Sequence, residues 1–316
     1  MNTNNKIVVV LGPTASGKSD LAVALAQQFN GEVISADSRQ VYAGMDLGTG
    51  KIKPSEMRGV KHYLLDVASP QRRFTVAQYK KLAQTAIKNI RRQGKLPIVC
   101  GGTGFYIQAL VDDLAIPEVK PNLKLRARLE KLSAPQLFQQ LKKLDLRRTK
   151  IIDRHNRRRL IRALEILIIT GKPVPPLDPP QPSLKGGSDS PPLRGVRGDF
   201  NVLFLGIKPA PMELKMRIGK RLRKRLRQGL VAEVKRLRAQ GLSWKRLDSF
   251  GLEYRWLAKY LQNKISYNEM AARLQADIEH YAKRQTTWFK RDPRINWIKK
   301  PPEAAKIVQR FLKSTA

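Results

Sequence analysis

The stretch Ile7-Val8-Val9-Val10-Leu11-Gly12-Pro13-Thr14-Ala15-Ser16-Gly17-Lys18-Ser19 decides the fold. A short apolar, largely β-branched run leads directly into G-x-x-x-x-G-K-[ST], the phosphate-binding P-loop, and Asp20 to Phe29 then carries the spacing of an amphipathic helix. Strand, glycine turn and helix is the order in which such a loop works. The glycines let backbone N–H groups turn inward around phosphate oxygens. The start of the following helix adds its partial positive charge. Gly12, Pro13, Thr14, Ala15, Ser16, Gly17, Lys18 and Ser19 are therefore the expected phosphate or diphosphate site. Lys18 would neutralise the terminal phosphate, and the Ser19 hydroxyl would be the protein's ligand to Mg²⁺.

Working outward, the first hundred residues alternate strand and helix. Strands are expected at Ile7–Leu11, Glu32–Ala36, Tyr63–Val67 and Leu96–Cys100, and helices at Lys18–Phe29 and Val76–Arg92. Short apolar strands separated by helices predict an α/β fold, a parallel sheet flanked by helices, with ligands at the carboxyl ends of the strands. From Asn122 to Gly171 no strand pattern survives, and Arg, Lys, Leu and Gln follow helical spacing, as in an all-helical insertion. Lys172 to Asp199 carries eight prolines and few large apolar residues, the composition of a structureless connector. A strand at Val202–Ile207 returns the chain to the sheet. One long helix is expected over Pro211–Gln240, followed by helices at Gly251–Leu261 and Tyr267–Phe289, a strand at Ile295–Ile298 and a closing helix at Pro302–Leu312. The expected layout is a catalytic core in two parts, 1–121 and 201–316, interrupted by a helical domain at 122–171 and a connector at 172–200.

The formal charge is +37, from 62 basic and 25 acidic residues among 316. So basic a surface calls for a polyanion, nucleic acid ahead of an anionic membrane, because each neutralised phosphate releases counterions. No apolar run approaches the roughly 18 residues that cross a bilayer, and no leader is visible. Cys100 is the single cysteine, which excludes an internal disulfide and a cysteine-based zinc finger and makes it a small core residue. A soluble, cytoplasmic monomer is expected.

Further chemistry is written at the strand ends. Asp37 follows the second strand, placed to accept a proton from a nucleophile beside the phosphates or to cap a helix from Ser38. Gln40 has the amide that pairs with an adenine edge. Gly101-Gly102-Thr103-Gly104 follows the fourth strand; its amides and the Thr103 hydroxyl can hold a leaving-group oxygen. Arg217 to Arg227 has seven basic residues in eleven, and Arg217, Arg221 and Arg225 share one side of a helix. Lys283 to Arg291 mixes cations with aromatics, as backbone phosphates and stacked bases together require.

Five blocks occur in order: Gly12–Ser19, Ile34–Lys51, Gly101–Tyr106, Arg158–Glu165 and Lys283–Phe289. Together they resemble the tRNA dimethylallyltransferase (isopentenyl-tRNA transferase) family over nearly the whole chain, the proline-rich connector excepted. The resemblance implies transfer of a dimethylallyl group from dimethylallyl diphosphate to N6 of the adenosine 3′-adjacent to the anticodon in tRNAs reading codons that begin with U. It implies a base extruded from the anticodon loop, with Asp37 as general base and Thr103 near the bridging oxygen of the diphosphate. Lys18, Arg217 and Ser19 with Mg²⁺ would take up the charge that develops there. The helical insertion would bind the anticodon stem-loop, with Arg126, Arg158, Arg159 and Arg162 as phosphate contacts. Asp37, Ser38, Arg39, Gln40, Thr103, Lys283, Arg284 and Gln285 would meet the tRNA near the site. Arg255 joins them from Gly251–Arg255, a segment that matches the family's Gly-Tyr-Arg type only loosely.

Three rivals share some of these features. A P-loop kinase acting on a small molecule or nucleotide leaves the basic surface unexplained. An adenylate isopentenyltransferase needs no helical insertion. A nucleic-acid-binding module with an inactive P-loop would bind RNA indifferently to the prenyl donor.

Overall fold

The computed structural model describes residues 5–117, 119–174, 200–299 and 301–314. In chain order the elements are β1 (Lys6–Leu11), α1 (Lys18–Gln28), β2 (Gly31–Ser35), α2 (Pro54–Met57), β3 (His62–Tyr63), α3 (Val76–Arg92), β4 (Leu96–Gly101) and α4 (Gly104–Val111). Then come α5 (Leu123–Leu129), α6 (Ala134–Leu144), α7 (Leu146–Thr149) and α8 (Arg157–Thr170). The last group is β5 (Asn201–Ile207), α9 (Pro211–Arg227), α10 (Leu230–Ala239), α11 (Trp244–Phe250), α12 (Leu252–Leu261), α13 (Tyr267–Phe289), β6 (Ile295–Ile298) and α14 (Pro301–Lys313). The chain divides into two compact units, Met1–Asp113 with Leu193–Ala316, and Leu114–Pro192.

The first unit holds one sheet in the order β3-β2-β4-β1-β5-β6, parallel throughout. The alternation of β1 sorts its residues between two cores. Ile7, Val9 and Leu11 face a cluster shared with Tyr79, Ile87 and Ile90 of α3 and Leu110 of α4. Val8 and Val10 face Leu21 and Leu25 of α1 and Val308 and Leu312 of α14. Buried Lys6 donates from Nζ to the carbonyls of Phe311, Leu312 and Ser314 at 2.8, 3.0 and 2.6 Å, which caps α14 from the first strand. Helices α9 to α13 pack around Leu222, Val234, Tyr254, Leu257 and Leu274.

Register explains the convergence of the loops. Leu11 pairs with Gly101 and with Gly206, and Ser35 with Cys100, so β1, β2 and β4 end at one level. The turns after them carry Gly12–Ser19, Asp37 and Thr103.

Two expected elements change. The third strand is only His62–Tyr63, not Tyr63–Val67, because Leu64 and Asp66 take left-handed backbone with φ of 63° and 58°. The long helix over 211–240 is two helices. Gly229, with φ of 98°, ends the first and opens the second, so that Leu230, Val234 and Leu237 turn toward the same core as Leu222. The proline-rich connector lies outside the described residues from 175 to 199.

The described residues of the second unit form the helices α5–α8 around Leu129, Leu137, Leu141, Leu160 and Leu164. Asn122, Ser133, Asp145 and Asn156 each cap one of these helices by accepting from a backbone N–H. No helix among the described residues is long and apolar enough to cross a membrane.

Candidate active site

The P-loop leaves β1 under tight steric control. A Cβ on Gly12 would stand 2.7 Å from the Ile207 carbonyl oxygen, so only glycine passes β5 there. Ala15 and Gly17, with φ of 62° and 90°, turn the intervening amides into a concave cradle. Gly17 caps α1 without a side-chain hydrogen bond, which leaves the first N–H groups of the helix for a ligand. The Ser16 hydroxyl is buried without a hydrogen-bond partner among the described residues. Lys18 donates to the Pro13 carbonyl at 3.2 Å and pairs with no carboxylate among the described residues. Burial pulls its pKa down; Arg221 lowers it further, and the nearby Asp37 carboxylate opposes the shift. A partly stripped ammonium held in a ring of amides is set for an anion of two or more charges.

Asp37 and Thr103 are placed together by backbone. The Thr103 N–H donates to the Ala36 carbonyl at 3.1 Å, and the Ser38 N–H donates to the Thr103 hydroxyl oxygen at 3.0 Å. Asp37 heads a turn, not a helix. Its Oδ1 accepts from the Arg39 and Gln40 amides at 2.8 and 3.4 Å, and Oδ2 has no protein partner among the described residues. One oxygen is thus anchored and the other is left to act. A Cβ on Gly101 would stand 2.1 Å from the Ala36 carbonyl oxygen, which is what brings these two turns into contact.

Helix α9 adds a graded series of cations. Arg217 donates to the Ser16 carbonyl at 3.3 Å and to Glu213 at 2.6 Å. One turn on, Arg221 donates to the Gly50 carbonyl at 3.1 Å and meets no carboxylate among the described residues; burial and the neighbouring Arg225 push its pKa down to about 10. Arg225 is buried and bonded to buried Glu253 at 3.2 Å, and burial pushes that carboxyl up against the pull of Arg225. A cavity of about 520 Å³ lies here, lined in part by Leu47, Gly50, Ile52, Met57, Arg221 and Arg225. Its loop wall hangs from Glu233, which accepts from the amides of Asp46, Leu47 and Gly48 and from the Tyr254 hydroxyl.

The residues expected to meet nucleic acid separate into two groups. Arg158, Arg159, Lys283 and Arg284 are exposed, and none of their side chains pairs with a carboxylate among the described residues. Ser38 and Arg39 flank the site, with Arg39 over the Phe250 ring at 5.8 Å. Arg255 is half-buried and donates to Asp248 at 3.2 Å. Others have different tasks. Arg126 and Arg162 are not open phosphate contacts, because both bind the buried carboxylate of Glu165. Gln40 is engaged at both amide ends, by the Ser35 hydroxyl at 3.1 Å and the Gly50 carbonyl at 3.3 Å. Gln285 is buried, with both amide ends spent inside the protein. On the same helix Phe289 is core, whereas Tyr267 and Trp288 at the ends of the apolar stripe are exposed.

Sequence reading overlooked Glu233 and the Arg225–Glu253 pair. For Glu233 a signal was present, a lone acid on the apolar face Leu230, Val234, Leu237 of a basic helix. For the pair there was none, since nothing local joins α9 to α12.

Known proteins resemble this chain in sequence and fold. The profile of the IPP transferase family matches residues 40–292. A tRNA dimethylallyltransferase of Carboxydothermus hydrogenoformans is 36% identical over 98% of this chain and 97% of its own length. That of Anoxybacillus flavithermus is 38% identical over 93% and 90%. A crystal structure of the full-length tRNA isopentenylpyrophosphate transferase from Bacillus halodurans is 32% identical and covers 98% of this chain and 96% of its own, with a TM-score of 0.69. A eukaryotic dimethylallyltransferase captured acting on tRNA is 26% identical over 98% of this chain and 80% of its own, with a TM-score of 0.79. Sequence and fold agree along almost the full length, and the chain belongs to the IPP transferase family.

Proposed function

We propose that this protein transfers a dimethylallyl group from dimethylallyl diphosphate to N6 of the adenosine 3′-adjacent to the anticodon in tRNAs reading codons that begin with U, releasing diphosphate. The observation that carries the reading is the pairing of an amide cradle, whose lysine meets no carboxylate among the described residues, with Asp37, whose second oxygen has no partner among them and whose charge acts on Lys18. The named activities of the relatives support it.

In this reaction C1 of the donor breaks from the bridging oxygen and bonds to N6. The N6 proton passes to Asp37 Oδ2, and the electron pair of the broken bond leaves on the diphosphate. A neutral exocyclic amine is a poor nucleophile, so holding it against a fixed carboxylate contributes through orientation as well as through proton removal. Thr103 accepts from Ser38, which leaves its hydroxyl hydrogen free to donate to the bridging oxygen. Lys18, Arg217 and Arg221 face the charge that grows on the leaving group. Mg²⁺ fits this set: the loop supplies the Ser19 hydroxyl, a hard oxygen donor beside the cradle, and the diphosphate oxygens would supply more of the same kind. When bound it would supply Lewis-acid charge against the diphosphate. The exposed Arg158, Arg159, Lys283 and Arg284 are the proposed phosphate contacts for an anticodon stem-loop, and the enzyme is proposed to act in the cytoplasm as a monomer.

The test is incubation with radiolabelled dimethylallyl diphosphate, Mg²⁺ and unmodified tRNA. One labelled adenosine beside the anticodon is expected. ATP turnover without labelled RNA would overturn the reading in favour of a kinase. Labelling of free AMP in preference to tRNA would point to an adenylate prenyltransferase.

A further inference from the structure

We propose that Gln285 is a positioning residue that locks the P-loop to the turn bearing Thr103, so that diphosphate cradle and leaving-group donor move as one piece. The inference rests on the transferase reading above and assigns Gln285 a task inside the site.

Helix α13 lays Gln285 between two loops that come from different strands. Its Oε1 accepts from the Thr14 N–H at 2.8 Å and its Nε2 donates to the Gly102 carbonyl at 2.8 Å. The side chain is 6% exposed, so neither end is shared with water or RNA. The fit is close on the turn side. A Cβ on Gly102 would stand 2.2 Å from Gln285 Nε2, and one on Gly104 would stand 2.2 Å from Trp288, three residues along the same helix. The Thr103 hydroxyl oxygen accepts from the Ser38 N–H at 3.0 Å. A hydroxyl offers two acceptor positions and one hydrogen. The Ser38 N–H fills one acceptor position, and the Thr103 hydrogen is left to donate in the site. The α13 face Gln285, Trp288 therefore sets the place of the Thr103 turn, and with it the point from which its hydroxyl donates.

Chemistry explains why an amide is required. Glutamine accepts at one end and donates at the other; glutamate can only accept. Gln285→Glu keeps the bond to Thr14 and loses the one to Gly102. The expected result is a fall in kcat of about tenfold to hundredfold, as for a misplaced catalytic group, with KM for dimethylallyl diphosphate and inhibition by inorganic pyrophosphate changed by less than about twofold. The deciding measurement is a double-mutant cycle in kcat. In a Thr103→Val background, Gln285→Glu is expected to cost less than about twofold, because the group it positions is gone. A full cost in that background, or wild-type kcat for Gln285→Glu alone, overturns the proposal. If Gln285→Glu does not fold, Gln285→Met, close in size and unable to bond either loop, carries the same cycle: its loss of kcat should vanish with Thr103→Val, and an undiminished loss there overturns the proposal. Wild-type protein is run alongside. No product from it overturns the transferase reading and the clamp together; product from it with an unaffected variant overturns the clamp alone.

Discussion

Two clusters of basic side chains in this protein are built in opposite ways. In the helical unit Glu165 is fully buried, and three bonds of 2.8, 2.6 and 2.6 Å tie it to Arg126 and Arg162. Beside the P-loop, Lys18 and Arg221 are half-buried, with only backbone carbonyls for hydrogen-bond partners among the described residues. Cations that own a carboxylate hold the fold; cations denied one are left to a ligand. Arg217 and Arg225 lie between, each with a glutamate of its own.

The sharpest way to break this contrast is Asp37, whose charge acts on Lys18 without bonding to it. If Asp37 is only a counter-charge, Asp37→Ala should lower the melting temperature and spare the rate. The expected outcome is the reverse: prenyl transfer falls by about a thousandfold, the scale of a lost general base, while melting and tRNA affinity stay near wild type. Stopped transfer assays and a thermal melt on the same preparation decide it.

Glu165→Gln tests the other side. Leaving two arginines without their buried counter-charge should cost about 3 kcal/mol or more of stability in the helical unit, read as earlier denaturant unfolding of α5–α8. The same carboxylate predicts an acid limit. Burial alone would raise its pKa, but the bonds from Arg126 and Arg162 hold it down to about 2, against an ordinary 4.5. A carboxylate depressed on folding stabilises above its unfolded pKa and loses that contribution as pH falls through the folded value. About 3 kcal/mol should therefore drain away between pH 4.5 and 2 in the wild type, and Glu165→Gln should flatten that slope. Equal slopes would show the clamp to be neutral.

Lys18→Met is expected to raise KM for dimethylallyl diphosphate by about a hundredfold, in the range for loss of one charged hydrogen bond. It should also remove the strain of a buried cation, so the unliganded protein should melt no lower than wild type. A Lys18→Met protein that is both destabilised and normal in KM would mean that the lysine is structural.

These tests bear on residues whose legibility differed for physical reasons. The P-loop was readable because its strand, glycines and helix are consecutive, and the sheet was readable because buried parallel strands are written as short apolar runs. Asp37 and Thr103 were readable as strand-end residues, though register alone joins them. What could not be read depends on partners distant in sequence. Gln285 lies among Lys283, Arg284 and Trp288, a context that looks like RNA contact; only the crossing of α13 over Thr14 and Gly102 turns it inward. The family resemblance offered Arg126 and Arg162 as phosphate contacts; nothing local showed that the one acid of Leu160–Leu167 is buried and binds both of them.

That distinction yields the smallest and most discriminating prediction. Arg158 and Arg159 are exposed and lack a carboxylate, whereas Arg162, on the same helix, is bound to Glu165 and to the Val119 carbonyl at 3.0 Å. A phosphate contact releases counterions, so its loss weakens binding and also reduces the salt dependence, by about one unit of slope per contact. Arg158→Ala and Arg159→Ala should each weaken tRNA binding by about fivefold at moderate salt and lower the slope of log K against log salt. Arg162→Ala should leave that slope unchanged and lower the stability of the helical unit instead. Should Arg162→Ala reduce the slope as much as Arg158→Ala does, the clamp must open to reach RNA, and the division between structural and ligand-facing cations would fail in the place where it is drawn most clearly.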